Sequence, residues 1–189
     1  MKRNHARVWI VLVALLAACA PSDKPAPSNP SGRVFPTPEG LVRDRHADFG
    51  FVFEDGSCYD EVLDTFNGTY TTLVQRPPSA PVTVPMQLAD EQLQTVFDAM
   101  IELNFFGYPD VFAVPTPADG RMLLRWPPAL YRISVRNGGA QKSVEWLDDV
   151  AGPVDRPAVQ LRRLIRMIQQ MIREHPSNRL VPPRGFACG

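Results

Sequence analysis

From about His46 onward, apolar residues recur with a period of two. Phe49, Phe51 and Phe53 fall on one face of an expected strand, and Gly50 and Val52 on the other. Asp55-Gly56 supplies a turn. Tyr59–Phe66 and Thr69–Val74 are β-branched and aromatic runs on either side of Asn67-Gly68, a dipeptide suited to a tight hairpin because both central positions then need φ > 0. Val82, Val84, Met86 and Leu88 alternate again, and Pro85 restricts that strand to a sheet edge or a bulge.

The period then lengthens. Leu93, Val96, Phe97, Met100 and Ile101 repeat at helical spacing behind Asp90 and Glu91, which suit the positive end of a helix dipole; Gly107 and Pro109 close the element. Asp110–Pro128 reads as a long proline-rich loop with a short apolar run at Met122–Leu124. A second hairpin follows, with Tyr131, Ile133 and Val135 on one face, a turn at Asn137-Gly138-Gly139, and Val144 and Trp146 on the return strand. Asp155 as N-cap and Pro157 in the first turn open a last helix, whose stripe is Ala158, Leu161, Ile165, Ile168 and Ile172, with Leu164 and Met171 beside it. Arg163, Arg166, Gln170 and Arg173 take the other side, and Pro176 stops the helix. Hairpins with one apolar face need a cover, and two one-sided helices provide it. The expected fold is α+β: two layers, a mostly antiparallel sheet with both helices packed on one face.

The N-terminus has a different rhythm. Lys2, Arg3 and Arg7 precede Val8–Ala18, an apolar run of eleven residues that is too short for a spanning helix and the right length for a signal-peptide core. It ends in Leu16-Ala17-Ala18-Cys19, which resembles the bacterial lipoprotein signal motif. That resemblance implies cleavage before Cys19 and acyl chains on the new N-terminal cysteine, at about 0.8 kcal/mol per buried CH₂ a stable anchor without a transmembrane helix. Ala20–Pro38 holds six prolines in nineteen residues and reads as an extended tether. The expected division is residues 1–18 signal peptide, 19–44 anchor and tether, and 45–189 one domain. A length of 189 residues suits that plan. Ala20 is not an aspartate, which in an enteric-like Gram-negative host points to the outer membrane facing the periplasm.

Charge narrows the function. The whole chain has 20 basic and 20 acidic residues; without residues 1–18 it has 17 and 20, a net of −3. A nucleic-acid binder needs a basic surplus, so that class is excluded. A mildly acidic body is not held to anionic lipid by its overall field, so anchoring falls to the acyl chains. With Cys19 acylated, Cys58 and Cys188 remain, in an exported chain where disulfides persist. They are either a bond stapling the tail to the sheet or two free thiols. Closing a loop of about 130 residues contributes roughly 4–5 kcal/mol in the chain-entropy model.

Several segments read together: Phe49-Gly50-Phe51-Val52-Phe53, Leu63 to Thr71, Asn104 to Asp110, Tyr131 to Val135, Val144-Glu145-Trp146 and Leu180 to Gly185. In order and spacing they resemble a family of uncharacterised bacterial lipoproteins carrying a domain of unknown function. The resemblance spans roughly residues 45–186 and implies a lipoprotein domain, without an activity or site residues to carry across. The chain departs from the pattern in its Phe186-Ala187-Cys188-Gly189 ending.

Candidate chemistry is sparse. Beyond the signal segment the histidines are His46, at the domain entrance, and His175, at a helix end, both read as surface or capping groups. Asp44, His46 and Asp48 alternate but lack a fourth ligand, so no metal or other cofactor is expected. Asp60, Glu61 and Asp64 cluster in sequence, yet a strand sends Glu61 to the opposite side, which favours turn capping over catalysis. No phosphate-binding glycine loop, nucleophile elbow or zinc-protease motif occurs. Arg132 and Arg136 share a face with Ser134 on the side expected to be open, a partner-binding face or a solvated one. Phe112 and Trp126 in the long loop are interaction candidates, with a lid packed over the sheet edge as the alternative. The expectation is a lipid-anchored, non-catalytic envelope module that contacts the membrane through its acyl chains and binds an envelope protein, peptidoglycan or a small ligand. The competing expectation is an envelope hydrolase or transferase using carboxylates such as Asp60 and Asp64.

Overall fold

A computed structural model describes residues 44–57, 60–73, 80–117, 119–152 and 154–183. Among the described residues, four strands come first, β1 (Gly50–Asp55), β2 (Glu61–Asp64), β3 (Thr69–Thr72) and β4 (Val82–Pro85). Helix α1 (Asp90–Glu102) and a 3₁₀ turn at Phe105–Gly107 follow. Then come β5 (Val111–Phe112), β6 (Leu124–Asn137), β7 (Ala140–Val150), helix α2 (Arg156–Glu174) and a second 3₁₀ turn at Pro176–Leu180. The strands form one seven-stranded sheet in the order β4-β3-β2-β1-β6-β7-β5, antiparallel except where β5 runs parallel to β7.

Register explains why one side of this sheet is a core. Val84 pairs with Tyr70, Tyr70 with Leu63, Leu63 with Phe53, Phe53 with Ile133, and Ile133 with Val144, so one apolar row crosses six strands on a single face. These side chains are buried together with Val96, Phe97 and Met100 of α1 and with Ala158, Leu161, Leu164, Ile165, Ile168 and Ile172 of α2. Each large side chain so removed from water stabilises the fold by roughly 1.5–3 kcal/mol. The α+β class and the single covered face are as the sequence pattern predicts. Aromatic rings run through the same layer, Phe105 to Tyr108, Phe112, Trp146, Tyr131 and Phe53, with centroids 5.3–6.3 Å apart. Tyr108 Oη donates to the Pro157 carbonyl at 2.9 Å and thereby ties the segment after α1 to the start of α2.

Helix ends follow local chemistry. The Asp155 carboxylate accepts from Ala158 N at the start of α2, as predicted. α1 ends at Glu102, earlier than the Gly107-Pro109 signal suggested, because Asn104 adopts a left-handed conformation (φ 55°) and the chain tightens into the 3₁₀ turn. Asn67-Gly68 does turn the chain, but through the four-residue loop 65–68, with Asp64 paired to Thr69. Of the two, Gly68 takes positive φ (60°). The Asp64 carboxylate caps that loop, accepting from Phe66 N, Asn67 N and Asn67 Nδ2.

The expected loop Asp110–Pro128 is substantially shorter than its composition suggested. Val111–Phe112 joins the sheet as β5, and β6 already begins at Leu124. Prolines 127 and 128 are tolerated there because β1 pairs only with Tyr131–Arg136 of β6, which leaves the first part of β6 with one neighbour.

Candidate functional site

The open face of the sheet is polar in its centre. Glu54, Arg132 and Glu145 form one cross-strand row over β1, β6 and β7. Arg132 Nη2 donates to Glu145 Oε2 at 2.6 Å and Nη1 to Glu54 Oε2 at 3.3 Å. The Glu145 hydrogen bond, followed by the Glu54 charge, raises the guanidinium pKa above its ordinary value. Ser134 and Ser143 hydroxyls meet at 3.0 Å in the next row. Arg136 lies over the Phe66 ring, 4.4 Å from its centroid, and 4.0 Å from the Asp48 carboxylate. Both arginines therefore occupy the open side, as the alternation indicated. Each is engaged by neighbours within the domain.

Phe112 does not belong to an interaction loop. It is buried, paired in register with Trp146 and edge-on to its ring at 5.3 Å. A two-residue parallel strand carries no periodic signal, which is why composition alone read it as loop. Trp126 is the opposite case: 90% of it is exposed, on the first part of β6. Cys19, Cys58 and Cys188 lie outside the described residues.

A cavity of about 420 Å³ opens where β1 ends, between β2, the last turns of α2 and the segment after it. Asp55, Glu61, Gln169, Arg173 and Asn178 supply its polar wall, and Ile172, Val181 and Pro182 its apolar one. The volume lies in the range of small-molecule sites. Asp55 is buried and accepts hydrogen bonds on both oxygens. Its Oδ1 accepts from Ser57 N at 3.0 Å and from the Ser57 hydroxyl, and its Oδ2 accepts from Gln169 Nε2 at 2.8 Å. Burial, and then the Asp55 charge, push the neighbouring Tyr131 phenol above its ordinary pKa, against a smaller lowering from its hydrogen bond with Ser57. Arg173, exposed at the mouth, makes no ion pair with a described residue. The described flanks of both distal cysteines, Asp55 and Glu61 around Cys58 and Val181-Pro182 before Cys188, line this one cavity.

The structure separates the other candidates. Asp60 is exposed, with positive φ (47°), beside a second cavity of about 200 Å³ shared with Glu54, Glu61, Leu130 and Arg132. Asp64 is at the far end of β2, occupied by the loop it caps. His175 Nδ1 accepts from Ser177 N at 3.2 Å, and Nε2 lies 3.1 Å from the Gln87 carbonyl, the pattern of a capping residue. The Asp48 carboxylate accepts from Gly138 N, and the His46 ring packs beside Gly138. Among the described residues, no three His, Cys, Asp or Glu side chains converge as a metal site, and no helix is long and apolar enough to cross a membrane.

Sequence reasoning missed the cavity because no local pattern encodes it: Asp55 and Gln169 meet across 114 positions. It also missed the pair at the other end of α2, where Arg162 grips the buried Asp148. A signal existed there, since Asp148 alternates with Trp146 and Val150 on the core side of β7.

No protein-family model and no curated protein matches the chain.

Proposed function

We propose that this chain is a lipid-anchored envelope protein that works by binding rather than by catalysis. The Leu16-Ala17-Ala18-Cys19 motif and the proline-rich tether support the anchoring, and in a Gram-negative host the body sits in the periplasm at the outer membrane. The observation that carries the binding reading is the cavity at the end of α2. Its charges are mixed, with a guanidinium at the mouth and carboxylates on the β1–β2 side. That combination suits a small zwitterionic or acidic ligand, such as a peptidoglycan stem peptide, with its carboxylate toward Arg173. Of the carboxylates in the catalytic reading, Asp64 caps a turn at the far end of β2 and Asp60 is exposed near its start, so the two do not converge; Asp55, in the cavity, is held by Ser57 and Gln169. A Cys58–Cys188 bond belongs to the same proposal, since it would secure the tail that forms one wall.

Two measurements test this. Intact mass of the native product should show an acyl increment, and the unreduced protein should be two hydrogens lighter than the reduced one. A stem peptide bearing a free amine and carboxylates should raise the melting temperature, and Arg173→Ala should abolish that rise without changing the ligand-free melt. Absence of any ligand-dependent shift in the unaltered protein would remove the cavity from the reading.

A further inference from the structure

The segment Arg121–Pro127 has a composition that the domain shows nowhere else on its described surface. Leu123 is 68% exposed, Leu124 64% and Trp126 90%, and Arg121, Arg125 and Pro127 are exposed among them. The backbone explains why these side chains stand out. Leu124 pairs with Val150 and Ala129 with Asp148, so β6 carries the stretch 125–128 opposite the single residue Asp149 of β7. The surplus chain arches away from the sheet. The apolar surface continues beyond the arch, because Leu130 and Leu147 are cross-strand partners on the open face, 41% and 50% exposed.

Leaving an indole and two leucines in water forfeits free energy that burial would recover, and no described element covers them. We infer that the arch docks on the surface of a phospholipid bilayer, with Trp126 at the headgroup level, Leu123 and Leu124 at the acyl boundary and the two arginines on lipid phosphates. Three observations favour lipid over a protein partner. The tip is a projecting arch rather than a groove, and a fluid bilayer accepts it without a complementary shape. Trp and Leu between arginines is the composition of interfacial segments, in which the Arg stems lie along the apolar zone while their charges reach the phosphates. Charge is also complementary locally, since residues 120–144 include no Asp or Glu. The acids nearest the arch are Asp119, which caps Arg121 N, Asp149, and Asp148; farther along, Glu54, Asp60 and Glu61 line the small cavity that Leu130 borders. Asp148 lies 3.7 Å from Arg125 but already takes two hydrogen bonds from Arg162, so the Arg125 charge is surplus to that pair.

The inference rests on the anchored reading for its strength: a tethered domain meets the bilayer at an effective concentration in the millimolar range, where a weak contact suffices. Reach is no obstacle. The domain starts beside the β6–β7 turn, where Asn137 Nδ2 donates to the Asp44 carbonyl, and the arch is at the other end of β6, roughly 40 Å away at strand rise. The chain from Cys19 to Asp44 spans up to about 80–90 Å when extended.

The test uses the mature chain, which carries two tryptophans, Trp126 and the buried Trp146. Acylated protein is reconstituted into phosphatidylethanolamine–phosphatidylglycerol vesicles with and without brominated acyl chains. Docking is expected to quench Trp126 fluorescence strongly with brominated lipid and to cut its acrylamide quenching several-fold. Trp126→Phe should lose the bromolipid signal, and Leu123→Ser with Leu124→Ser should reduce it several-fold with the melting temperature unchanged. An acylated, vesicle-bound chain whose Trp126 stays fully open to acrylamide and blind to brominated lipid would overturn the inference while leaving the anchor intact. Protection of Trp126 from acrylamide without bromolipid quenching would overturn it in favour of a protein contact. If the native chain carries no acyl group, the same chain is mixed with excess vesicles: quenching there upholds docking without the anchor, and its absence ends the proposal.

Discussion

Arg162 and Arg132 each hold a carboxylate of β7, three residues apart and on opposite faces of the sheet. On the core side, Asp148 is 2% exposed and meets Arg162 through two parallel bonds, Nε to Oδ2 at 2.9 Å and Nη2 to Oδ1 at 2.6 Å, with the Val150 carbonyl taking a third bond. The same guanidinium stands 5.6 Å from the Trp146 ring centroid, and its bonds to Asp148 are the first cause of its raised pKa. On the open side, Arg132 shares itself between Glu54 and one oxygen of Glu145, with all three side chains about two-fifths exposed. The pair chemistry is alike and the surroundings are not. Water screens the outer pair and competes for its charges, whereas the inner carboxylate is sealed from water and answered by Arg162, with Arg125 3.7 Å away. A buried ion pair at the edge of a core is costly to break, and an exposed one is not.

Substitutions can push this contrast to its limits. The largest effect is expected from the core row itself: Phe53→Ala, at a fully buried position in mid-sheet, should cost about 3–5 kcal/mol in denaturant unfolding. Next comes Asp148→Ala, which strands Arg162 at the core boundary. A loss of about 2–4 kcal/mol is expected, moderated because Arg162 retains some contact with water. A loss no greater than that of an ordinary surface change would show that the two faces are energetically alike.

The third effect appears only in alkali. Tyr131 has a raised pKa, so as pH climbs through about 10 the unfolded phenol ionises first while the folded one keeps its proton. The contribution is fully present below that range and is lost as pH rises through the folded value. Melting temperature should therefore fall on the alkaline side, and Tyr131→Phe should flatten that limb while leaving neutral pH nearly unaltered. The smallest effect is expected on the open face, where Arg132→Ala should change the melt by no more than the scatter between repeats. A double-substitution cycle with Glu145→Ala should give a coupling that vanishes in high salt.

Much of the fold was legible in the chain. Phe49, Phe51 and Phe53 declared a strand and its buried side, and the stripe from Ala158 to Ile172 declared a helix and the face it turns to the sheet. Less of the candidate site was legible, for the physical reason that its parts are remote. Glu61, Gln169 and Asn178 look like ordinary polar residues until strand pairing and helix packing bring them to one cavity. Phe112 shows the same limit in the core. Two residues of parallel strand have no period to read, and only the partner strand carrying Trp146 decides that Phe112 is inside.

By itself, then, the sequence determined what local physics controls: the period of each apolar run, the Asp155 cap, and the left-handed conformation open to Gly68 and Gly138. Tertiary structure alone decided which distant polar groups share a cavity, which carboxylate of β7 is sealed from water, and that surplus residues in β6 leave Trp126 projecting. Those outcomes depend on register and packing between segments far apart in the chain, and a shift of one residue in pairing would reassign every one of them to the other face.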